Sequence, residues 1–447
     1  MVRSHSLPGC LPDGLISKRI SEEQNAQGSF PPTRVFWLFL FQVIGADISC
    51  REVLRKFLAW LAVEKGMIAS FNTAAYCKAR AKLPAKGLEK ISDGVAQEIV
   101  ENETDDDLWR GRRVKVIDGS SVSMPDTPEN QKAWPQSKRS KKGCGFPVMR
   151  IVAIFSLASG ALLALAKDAL STHERTLFHR IWNFLKRGDI ALADRGFCSY
   201  ADFHILAKRG VDCVMRKNQR RSVGVTFLKW LGKNDQLVEW RKTSVRPKWL
   251  NEGQWKNMPD KITVREIKIN VHVKGFRSKT IIVATTLIDP IEYPARAFAE
   301  LYFKRWRAEL YLRDIKITIG MDILKCKSPE MIKKELWMRV IAYNLIRAIM
   351  QEAANTHHLS CECLSFKGTV STVRQWAPML SQPRTDENKR IELFKTMLYY
   401  IAYDTIPFRP NRAEPRAKKR RPKNYQLLNK PRKLFREILH RNKYRKA

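Results

Sequence analysis

The first part of the chain has a helical pattern of apolar residues. Between Thr33 and about Val100 these residues recur at intervals of three and four, as Val53, Phe57 and Leu61 do. Such spacing places them on one face of a helix, so we expect several amphipathic helices that share a core. The residues before Thr33 lack the pattern and are expected to form a loop.

Short runs rich in β-branched residues replace the helical pattern after residue 112. Three consecutive runs predict strands, of which the second and third form a buried hairpin. Two further runs alternate with helical patterns, which indicates an α/β domain with a mixed sheet. A capping box at Ser171 and Glu174 predicts a helix from there to about Arg187. The strands are expected at residues 113–118, 149–157, 161–169, 189–194 and 211–215.

The alternation of strand and helix stops in residues 220–290. Period-two stretches at residues 262–271 and 279–286 predict a β-rich insertion there. A long helix without internal proline or glycine is expected over residues 295–319, and a second over residues 330–354. We therefore expect a β-rich insertion that is followed by two long helices.

The chain is strongly basic. Its 447 residues contain 82 Lys or Arg against 44 Asp or Glu, a formal charge of +38, while 44% of the residues are hydrophobic. Residues 409–447 alone hold 16 Lys or Arg against 2 Glu, which predicts a mostly extended basic tail. A folded protein with this excess is expected to bind a polyanion, first nucleic acid and second an anionic membrane surface. A basic protein without such a partner is the remaining alternative.

The sequence contains neither a secretory signal nor a membrane span that we can identify. The first 30 residues lack an apolar core stretch, and residues 35–44 are too short to cross a bilayer. Nine cysteines at irregular spacing are typical of reduced intracellular thiols. We therefore expect a cytoplasmic protein without membrane contact.

Four polar residues share one face of the helix expected at residues 295–319. Tyr302, Arg305, Glu309 and Lys316, here called the polar stripe, have offsets of 0, +3, +7 and +14. At about 100° per residue they fall within roughly 60° of one another. One acid is thus presented among bases, an arrangement suited to a metal ion beside a phosphate backbone. The alternative is a surface ion pair between Glu309 and Arg305 or Arg313.

Two further acids end predicted strands. Asp118 precedes Gly-Ser and Asp194 precedes Arg-Gly, and residues past the carboxyl ends of strands line the ligand crevice of α/β sheets. Three converging carboxylates, with Glu309 as the third, repel one another unless cations or protons neutralise them. Oxygen ligands of this kind suit Mg²⁺ or Mn²⁺. Each Asp alone would equally suit a simple turn.

With these residues in place, the sequence resembles a known family. The polar stripe, Tyr-x2-Arg-x3-Glu-x6-Lys, resembles in full the signature of bacterial insertion-sequence DDE transposases of the insertion-sequence-four family. Residues 114–120 resemble that family's first aspartate region, and residues 193–197 its second. Residues 326–330 and 342–347 resemble the sequence that follows the signature. The resemblance covers most of residues 35–430.

The resemblance implies a DNA transposase that hydrolyses phosphodiester bonds at transposon ends and joins the freed ends to target DNA. Asp118, Asp194 and Glu309 would be catalytic and would bind Mg²⁺, for which Mn²⁺ substitutes. Double-stranded DNA, as terminal inverted repeats and as target, would be the partner of a homodimer in the bacterial nucleoid. The alternatives are an RNase H-like endonuclease without strand transfer and an inactive DNA-binding derivative.

The resemblance also implies contacts between Tyr302, Arg305 and Lys316 and the phosphates near the cut. It further implies an RNase H-like core interrupted by the β-rich insertion. The resulting segments are a helical N-terminal DNA-binding region with linker at 1–105, the first part of the core at 106–219, the insertion at 220–292, the second part of the core at 293–405 and the basic tail at 406–447.

Two other groups of residues offer weaker candidates. Members of the family stack a flipped base on an aromatic residue of the insertion, and Trp240, Trp249 and Trp255 lie in that region. Packing in the core is the favoured interpretation of each tryptophan. A cluster at residues 357–363, His-His followed by Cys-x-Cys, has poor spacing for zinc.

Overall fold

The computed structural model describes residues 30–45, 48–66, 70–218, 224–270, 280–380, 386–407, 431 and 434. The loop expected before Thr33 and most of the basic tail lie outside these ranges. None of the helices in the described ranges is long and apolar enough to cross a membrane.

Within the described residues, the N-terminal region contains four helices, as the apolar periodicity predicts. Ser49 and Asn72 cap two of them by accepting hydrogen bonds from Glu52 N–H and Ala74 N–H, which satisfies otherwise unpaired helix donors. Pro84 separates the third from the fourth. The helices are α1 (Pro32–Ile44), α2 (Cys50–Lys65), α3 (Thr73–Lys82) and α4 (Ala85–Glu101).

The strands of the described residues form one sheet. Three adjacent strands, the third to the fifth across the sheet, run parallel to one another, and the remaining neighbours are antiparallel. The strands are β1 (Val114–Ser123), β2 (Val148–Ser156), β3 (Leu162–Ala169), β4 (Ile190–Ala193), β5 (Asp212–Arg216), β6 (Val225–Gly232), β7 (Asp235–Arg241), β8 (Lys261–Asn270) and β9 (Thr280–Thr285). Their order across the sheet is β3-β2-β1-β4-β5-β9-β8-β7-β6.

This order confirms the mixed α/β prediction and adds one fact to it. The strands of the insertion do not form a sheet of their own. Instead β9 pairs with β5, so that β6 to β9 extend the sheet that carries the predicted acids. The expected hairpin is β2 and β3, which turn through Gly160 at a positive φ of 72°.

The later helices cover both faces of the sheet. One of them, α11, is long, largely buried and in contact with α1, α4, α12 and α13. It therefore joins the N-terminal helices to the sheet. The helices are α5 (Pro128–Ala133), α6 (Glu174–Arg180), α7 (Tyr200–Lys208), α8 (Glu252–Lys256), α9 (Ala295–Lys304), α10 (Arg307–Arg313), α11 (Pro329–Thr356), α12 (Phe366–Leu380) and α13 (Glu387–Tyr403).

Two expectations about helices are wrong. The helix expected from Ser171 to Arg187 begins at Glu174 and ends at Arg180, because His173 rather than Ser171 is the N-cap and accepts a hydrogen bond from Arg175 N–H. The helix expected over residues 295–319 is not one regular helix. It consists of α9, a tight turn, α10 and a π turn over Asp314–Thr318.

A buried ion pair fastens the insertion to the segment that precedes α9. The guanidinium of Arg265, on β8, is fully buried and donates from Nε to Asp235 Oδ1 at 2.8 Å. Its Nη1 donates to the carbonyls of Tyr293 at 2.7 Å and Asp289 at 3.1 Å. These bonds hold the connection between β9 and α9 against the sheet.

We expect Asp235→Asn to destabilise the protein strongly. The substitution leaves the buried charge of Arg265 without its carboxylate, and breaking a buried pair in this way costs about 3–5 kcal/mol. The free energy of unfolding from urea denaturation measures the loss. Glu252→Gln is the control: it breaks the exposed Glu252–Lys256 pair and should change the value by less than about 0.5 kcal/mol. Equal effects of the two substitutions would contradict this account.

Candidate active site

The parallel pairing of β1 with β4 brings two predicted acids side by side. Ile117 pairs with Ala193, the last residue of β4. The residue after Ile117 is Asp118, and the residue after Ala193 is Asp194. Asp194 thus follows its strand, as expected. Asp118 does not end β1, which continues to Ser123 because β2 pairs along its whole length, and that part of the prediction is wrong.

Alternation along the strands decides which face of the sheet the acids occupy. Val116 and Leu192 pack in one apolar cluster with residues of α9 and α10. Side chains two positions apart on a strand point to the same face. Asp118 therefore follows Val116 and Asp194 follows Leu192 on the face that the polar stripe also covers.

Backbone N–H groups fix both aspartates. Asp118 Oδ1 accepts a hydrogen bond from Gly119 N–H at 2.8 Å, and Asp194 Oδ1 accepts one from Gly196 N–H at 2.7 Å. A Cβ at Gly196 would lie only 3.0 Å from Asp194 Oδ1. The glycine thereby allows the backbone to approach the carboxylate, as in an Asx turn.

The polar stripe lies on a segment whose helical geometry changes twice. The N–H groups of Arg305 and Glu309 donate to carbonyls three residues earlier, at 3.1 Å each, which is the bonding of a tightened helix. Farther along, Ile319 N–H donates to Asp314 O at 3.1 Å, five residues earlier. Lys316 lies within this π turn. The stripe is thus presented by a tight turn and a wide turn, and not by one α-helix.

Electrostatic coupling places three of the predicted acids in one neighbourhood. Burial raises the pKa of Asp118 from an ordinary 3.8 to about 6. The hydrogen bond from Gly119 N–H and the charge of Arg305 lower this pKa, whereas the carboxylates of Asp194 and Glu309 raise it. Asp118 therefore lies close to Arg305 and to both other acids.

Arg305 stands among these acids. Its side chain is 12% exposed, and its Nη2 lies 3.6 Å from Glu309 Oε1. Its Nε is buried without a hydrogen-bond partner among the described residues. The ion pair that was the alternative role of Glu309 is therefore present, but its N–O distance is long. It also leaves the buried Arg305 Nε without a partner among the described residues.

Tyr302 and Arg216 flank the acids on the other side. Burial raises the pKa of Tyr302 to about 12; Arg305 and Arg216 lower it, and Asp194 raises it. Arg216 ends β5, and because Ala193 pairs with Met215, its position in the register is next to Asp194. Sequence reasoning missed Arg216, although this residue directly follows the strand predicted at residues 211–215.

Lys316 is fastened to β1. Its Nζ donates to Ser120 Oγ at 3.1 Å and lies 2.9 Å from Asp322 Oδ1. Ser123 N–H donates to Asp322 O at 3.0 Å, so the loop after the π turn is bonded to the end of the same strand. Ser120, two residues beyond Asp118, is a second contact that sequence reasoning did not identify.

Within the described residues, no three His, Cys, Asp or Glu side chains stand close enough together to hold a metal ion. This applies to Asp118, Asp194 and Glu309 as placed, and also to the cluster at residues 357–363. The three acids nevertheless provide hard oxygen donors, whose chemistry fits a divalent ion. Burial raises the pKa of Asp118 among them, and a bound cation would favour its ionised form.

The three tryptophans considered for base stacking have packing roles. Trp240 is fully buried and donates from Nε1 to Glu266 at 2.7 Å. Trp249 packs on the ring of His179 with centroids 3.9 Å apart, and the ammonium of Lys242 lies over the ring of Trp255. An exposed aromatic pair lies elsewhere in the insertion, on β6, where Phe227 is 48% and Trp230 62% exposed.

Glu174, the acid of the expected capping box, lies beside β1. A Cβ at Gly119 would lie 2.7 Å from Glu174 Cδ, so the glycine makes room for this side chain. Its Oε1 is 3.5 Å from Arg150 Nη1. Since Gly119 alternates with Asp118 along the strand, this pair belongs to the opposite face of the sheet.

Known proteins similar to this chain are transposases. A family model described as "Transposase DDE domain" matches residues 109–345. The transposase InsG of insertion sequence element IS4, from Escherichia coli K12, is 25% identical over 428 residues, which cover 94% of this chain and 93% of the relative. A putative transposase, InsZ, from the same organism is 29% identical over 28% of this chain and 42% of its own.

Among solved structures, the cryo-EM structure of a piggyBac transposase synaptic complex with hairpin DNA is similar at a TM-score of 0.43 and 8% identity. The similarity covers 86% of this chain and 81% of that chain. At this TM-score it adds nothing to the interpretation of the site.

We expect Asp118→Asn to stabilise the metal-free protein at neutral pH. The pKa of Asp118 is about 6 in the folded protein against 3.8 ordinarily, so its contribution to stability is present below pH 4 and lost as the pH rises through 6. This rise in the pKa of Asp118 corresponds to about 3 kcal/mol in the free energy of unfolding. Urea denaturation in EDTA should show a higher free energy of unfolding for the variant at pH 7.5 and a much smaller difference at pH 4.5.

Two outcomes would contradict this account of Asp118. One is a wild-type protein that is more stable than the variant at pH 7.5 without divalent ions. The other is a stability difference that does not change between the two pH values.

Proposed function

Since the chain belongs to the family of transposases with a DDE domain, we propose that Asp118, Asp194 and Glu309 are its catalytic acids. All three lie within the part of the chain that the family model matches. The chain is a DNA transposase, an enzyme that cleaves and moves DNA. The proposal concerns which of its residues carry out that chemistry.

The observation that carries this assignment is the register of β1 and β4. It puts Asp118 next to Asp194 at the point where β4 ends. Glu309 reaches the same neighbourhood from α10, which packs against β1, and its charge acts on Asp118. Three acids from distant parts of the sequence thus lie on one face of the sheet.

We propose an RNase H-like core for the fold. It is supported by the strand order β3-β2-β1-β4-β5, in which β1, β4 and β5 are parallel and β2 and β3 antiparallel. The core would comprise residues 106–219 and 293–405, with the insertion at 220–292 between them. Residues 1–105 would be the N-terminal DNA-binding region and residues 406–447 the basic tail.

The family implies a divalent metal, and we propose Mg²⁺, with Mn²⁺ as a substitute, held by Asp118, Asp194 and Glu309. Bound there, the metal would supply activation of the attacking oxygen and stabilisation of the leaving oxygen. The chain's own part is to keep two aspartates fixed by backbone N–H groups. It also presents Glu309 from a separate element, α10, with the side chain 45% exposed and 3.6 Å from Arg305.

Arg305, Tyr302 and Lys316 would bind phosphates of the transposon end. The Nε of Arg305 has no hydrogen-bond partner among the described residues, and a charge-assisted bond to a phosphate oxygen would satisfy this donor. Lys316, anchored on Ser120, would present its charge beside Asp118. Arg216 at the end of β5 would add a further cation next to Tyr302. Together they would orient the scissile bond and offset the repulsion between DNA and the acids.

The partner would be double-stranded DNA, both the transposon ends and the target. A formal charge of +38 favours a polyanion. We propose a homodimer on DNA because joining requires two ends to be held together. For base stacking, the exposed Trp230 is a better candidate than the three tryptophans considered from sequence, since a base must reach the ring.

We expect Asp194→Asn to abolish cleavage while end binding persists. The asparagine keeps the shape of the side chain and its bond with Gly196 N–H, but it removes a charge that a divalent ion requires. Cleavage of a labelled transposon end with Mg²⁺, alongside gel-shift binding of the same DNA, measures the two properties. Residual cutting by the variant at the wild-type rate would remove Asp194 from the catalytic set.

A target plasmid in the same reaction decides between a transposase and a nuclease. Joined product from the wild-type protein is the expected result. Cleavage without any joined product would favour the alternative of an RNase H-like endonuclease. Binding without either reaction would favour an inactive DNA-binding derivative.

We expect Lys316→Ala to weaken binding of the transposon end and to make it less sensitive to salt. Loss of one phosphate contact should reduce the slope of log affinity against log salt by about one. Titrations at several salt concentrations measure it. Lys256→Ala, in the exposed helix α8 of the insertion, is the control and should leave the slope unchanged. An unchanged slope for Lys316→Ala would contradict a phosphate role.

A further inference from the structure

A row of polar residues runs along one face of α11. Glu335, Arg339, Tyr343 and Arg347 follow one another at intervals of four, which aligns them on a single face of a helix. All four are buried, with exposures of 3%, 1%, 0% and 5%. We call them the arginine row. Their burial is notable because charged side chains are seldom buried unless each has a partner.

The partners of the arginine row lie on the segment that carries Lys316. Arg347 Nη2 lies 2.9 Å from Asp314 Oδ2, at the first residue of the π turn. Arg339 Nη1 donates to the carbonyl of Ile319, the residue directly after the π turn. The two arginines, two helical turns apart on α11, therefore hold the two ends of the π turn.

The other two members of the row keep the arginines in place. Glu335 Oε1 lies 2.8 Å from Arg339 Nη2 and also accepts the backbone N–H of Lys325 at 3.0 Å. Tyr343 accepts from Arg347 Nε at 3.1 Å. Its hydroxyl donates to Gly160 O at 2.7 Å, between β2 and β3. The row is thus bonded internally, to the sheet, to both ends of the π turn and to the segment that follows it.

A π turn needs such support. Its bonds span five residues and it contains one residue more than an α-helical turn, so it occurs as single turns at special positions and often at functional sites. Here it turns the side chain of Lys316 toward Ser120 on β1. Ile317, the next residue, is 67% exposed and contributes little packing that would favour this geometry.

We propose that the arginine row is a positioning device that holds Lys316 against β1 beside Asp118. Its members are positioning residues, since their partners are protein groups and they act through the π turn. The consequence for DNA rests on the proposed phosphate role of Lys316. The effect on the position of Lys316 does not rest on that role, and it is measurable in the protein without DNA.

The first experiment measures how fast Lys316 reacts with an amine-modifying reagent, by peptide mass spectrometry of the folded protein. In the wild-type protein Nζ is held by Ser120 and Asp322 and the side chain is only 20% exposed. Asp314→Asn removes the carboxylate that Arg347 grips, and Arg339→Lys removes the forked donor. We expect each variant to raise the modification rate of Lys316 at least about threefold, because its bonds to Ser120 and Asp322 then open more often.

Asp189→Asn is the matched control. Asp189 is also a buried carboxylate with a buried cationic partner, Lys115, whose Nζ lies 2.6 Å away. It precedes β4 and so lies at the opposite end of the strand from Asp194. This variant should be destabilised to a similar degree and leave the modification rate of Lys316 unchanged. Should Asp314→Asn fail to fold, the milder Arg339→Lys decides the question alone.

The second experiment combines each variant with Lys316→Ala and measures binding of the transposon end across a salt series. If the row acts through Lys316, Asp314→Asn and Arg339→Lys weaken binding severalfold in the wild-type background and add nothing once Lys316 is alanine. Additive losses would show a general structural effect and overturn the proposal's functional part.

The two experiments separate two kinds of failure. Unchanged modification of Lys316 in the folded variants, or an equal rise in Asp189→Asn, overturns the positioning role. A specific rise in modification, together with Lys316→Ala binding DNA like the wild type, supports positioning and overturns the proposed phosphate role instead.

Discussion

The parallel pairing of β1 with β4 is the constraint on which the site depends. Its last residue pair is Ile117 with Ala193, and the residue that follows each of these in sequence is an aspartate. Backbone bonding thus enforces a closeness that the two carboxylates would resist by themselves. The pairing of β5 on the other side of β4 brings Arg216 to the same edge in the same way.

The surrounding charges follow from that enforced closeness. Asp118 is partly buried near two other acids, and its pKa is raised mainly by burial and further by the charges of Asp194 and Glu309. The charge of Arg305 lowers the pKa of Asp118, but the same guanidinium also pairs with Glu309, with Nη2 and Oε1 3.6 Å apart. In the proposed site, a bound divalent cation and a bound phosphate would each offset the charge of the other.

Much of this arrangement was predictable from sequence because the relevant signals are local. The β-branched runs predicted the central strands, and the polar stripe singled out Glu309, whose charge acts on Asp118. Local signals do not reveal pairing, however. The pattern placed the end of β1 at Asp118, whereas β2 continues to bond the strand as far as Ser123. Exposure is equally non-local: three tryptophans of the insertion are engaged in packing contacts and Trp230 is exposed, for which the sequence offered no distinguishing sign.

The polar stripe shows a different limit. Its offsets align on an ideal helix, and the same four residues do gather at one site, but they do so through a tight turn and a π turn. The π turn contains Ile315, Ile317 and Thr318, whose β-branched side chains favour a regular helix less, but this local signal does not specify a π turn. The π turn depends on Arg339 and Arg347, which lie 20 or more residues beyond the turn in sequence and grip its two ends.

The continuity of the sheet has a consequence for modularity. Because β9 bonds to β5, and the loop after it is tied to Arg265, the insertion is not an appendage that evolution or engineering would trim without effect. Excising it would bare the backbone of β5 one strand away from Asp194, and an uncovered strand edge invites pairing with other chains. Shortened descendants of this protein would therefore need a substitute strand at that edge before they needed any new chemistry.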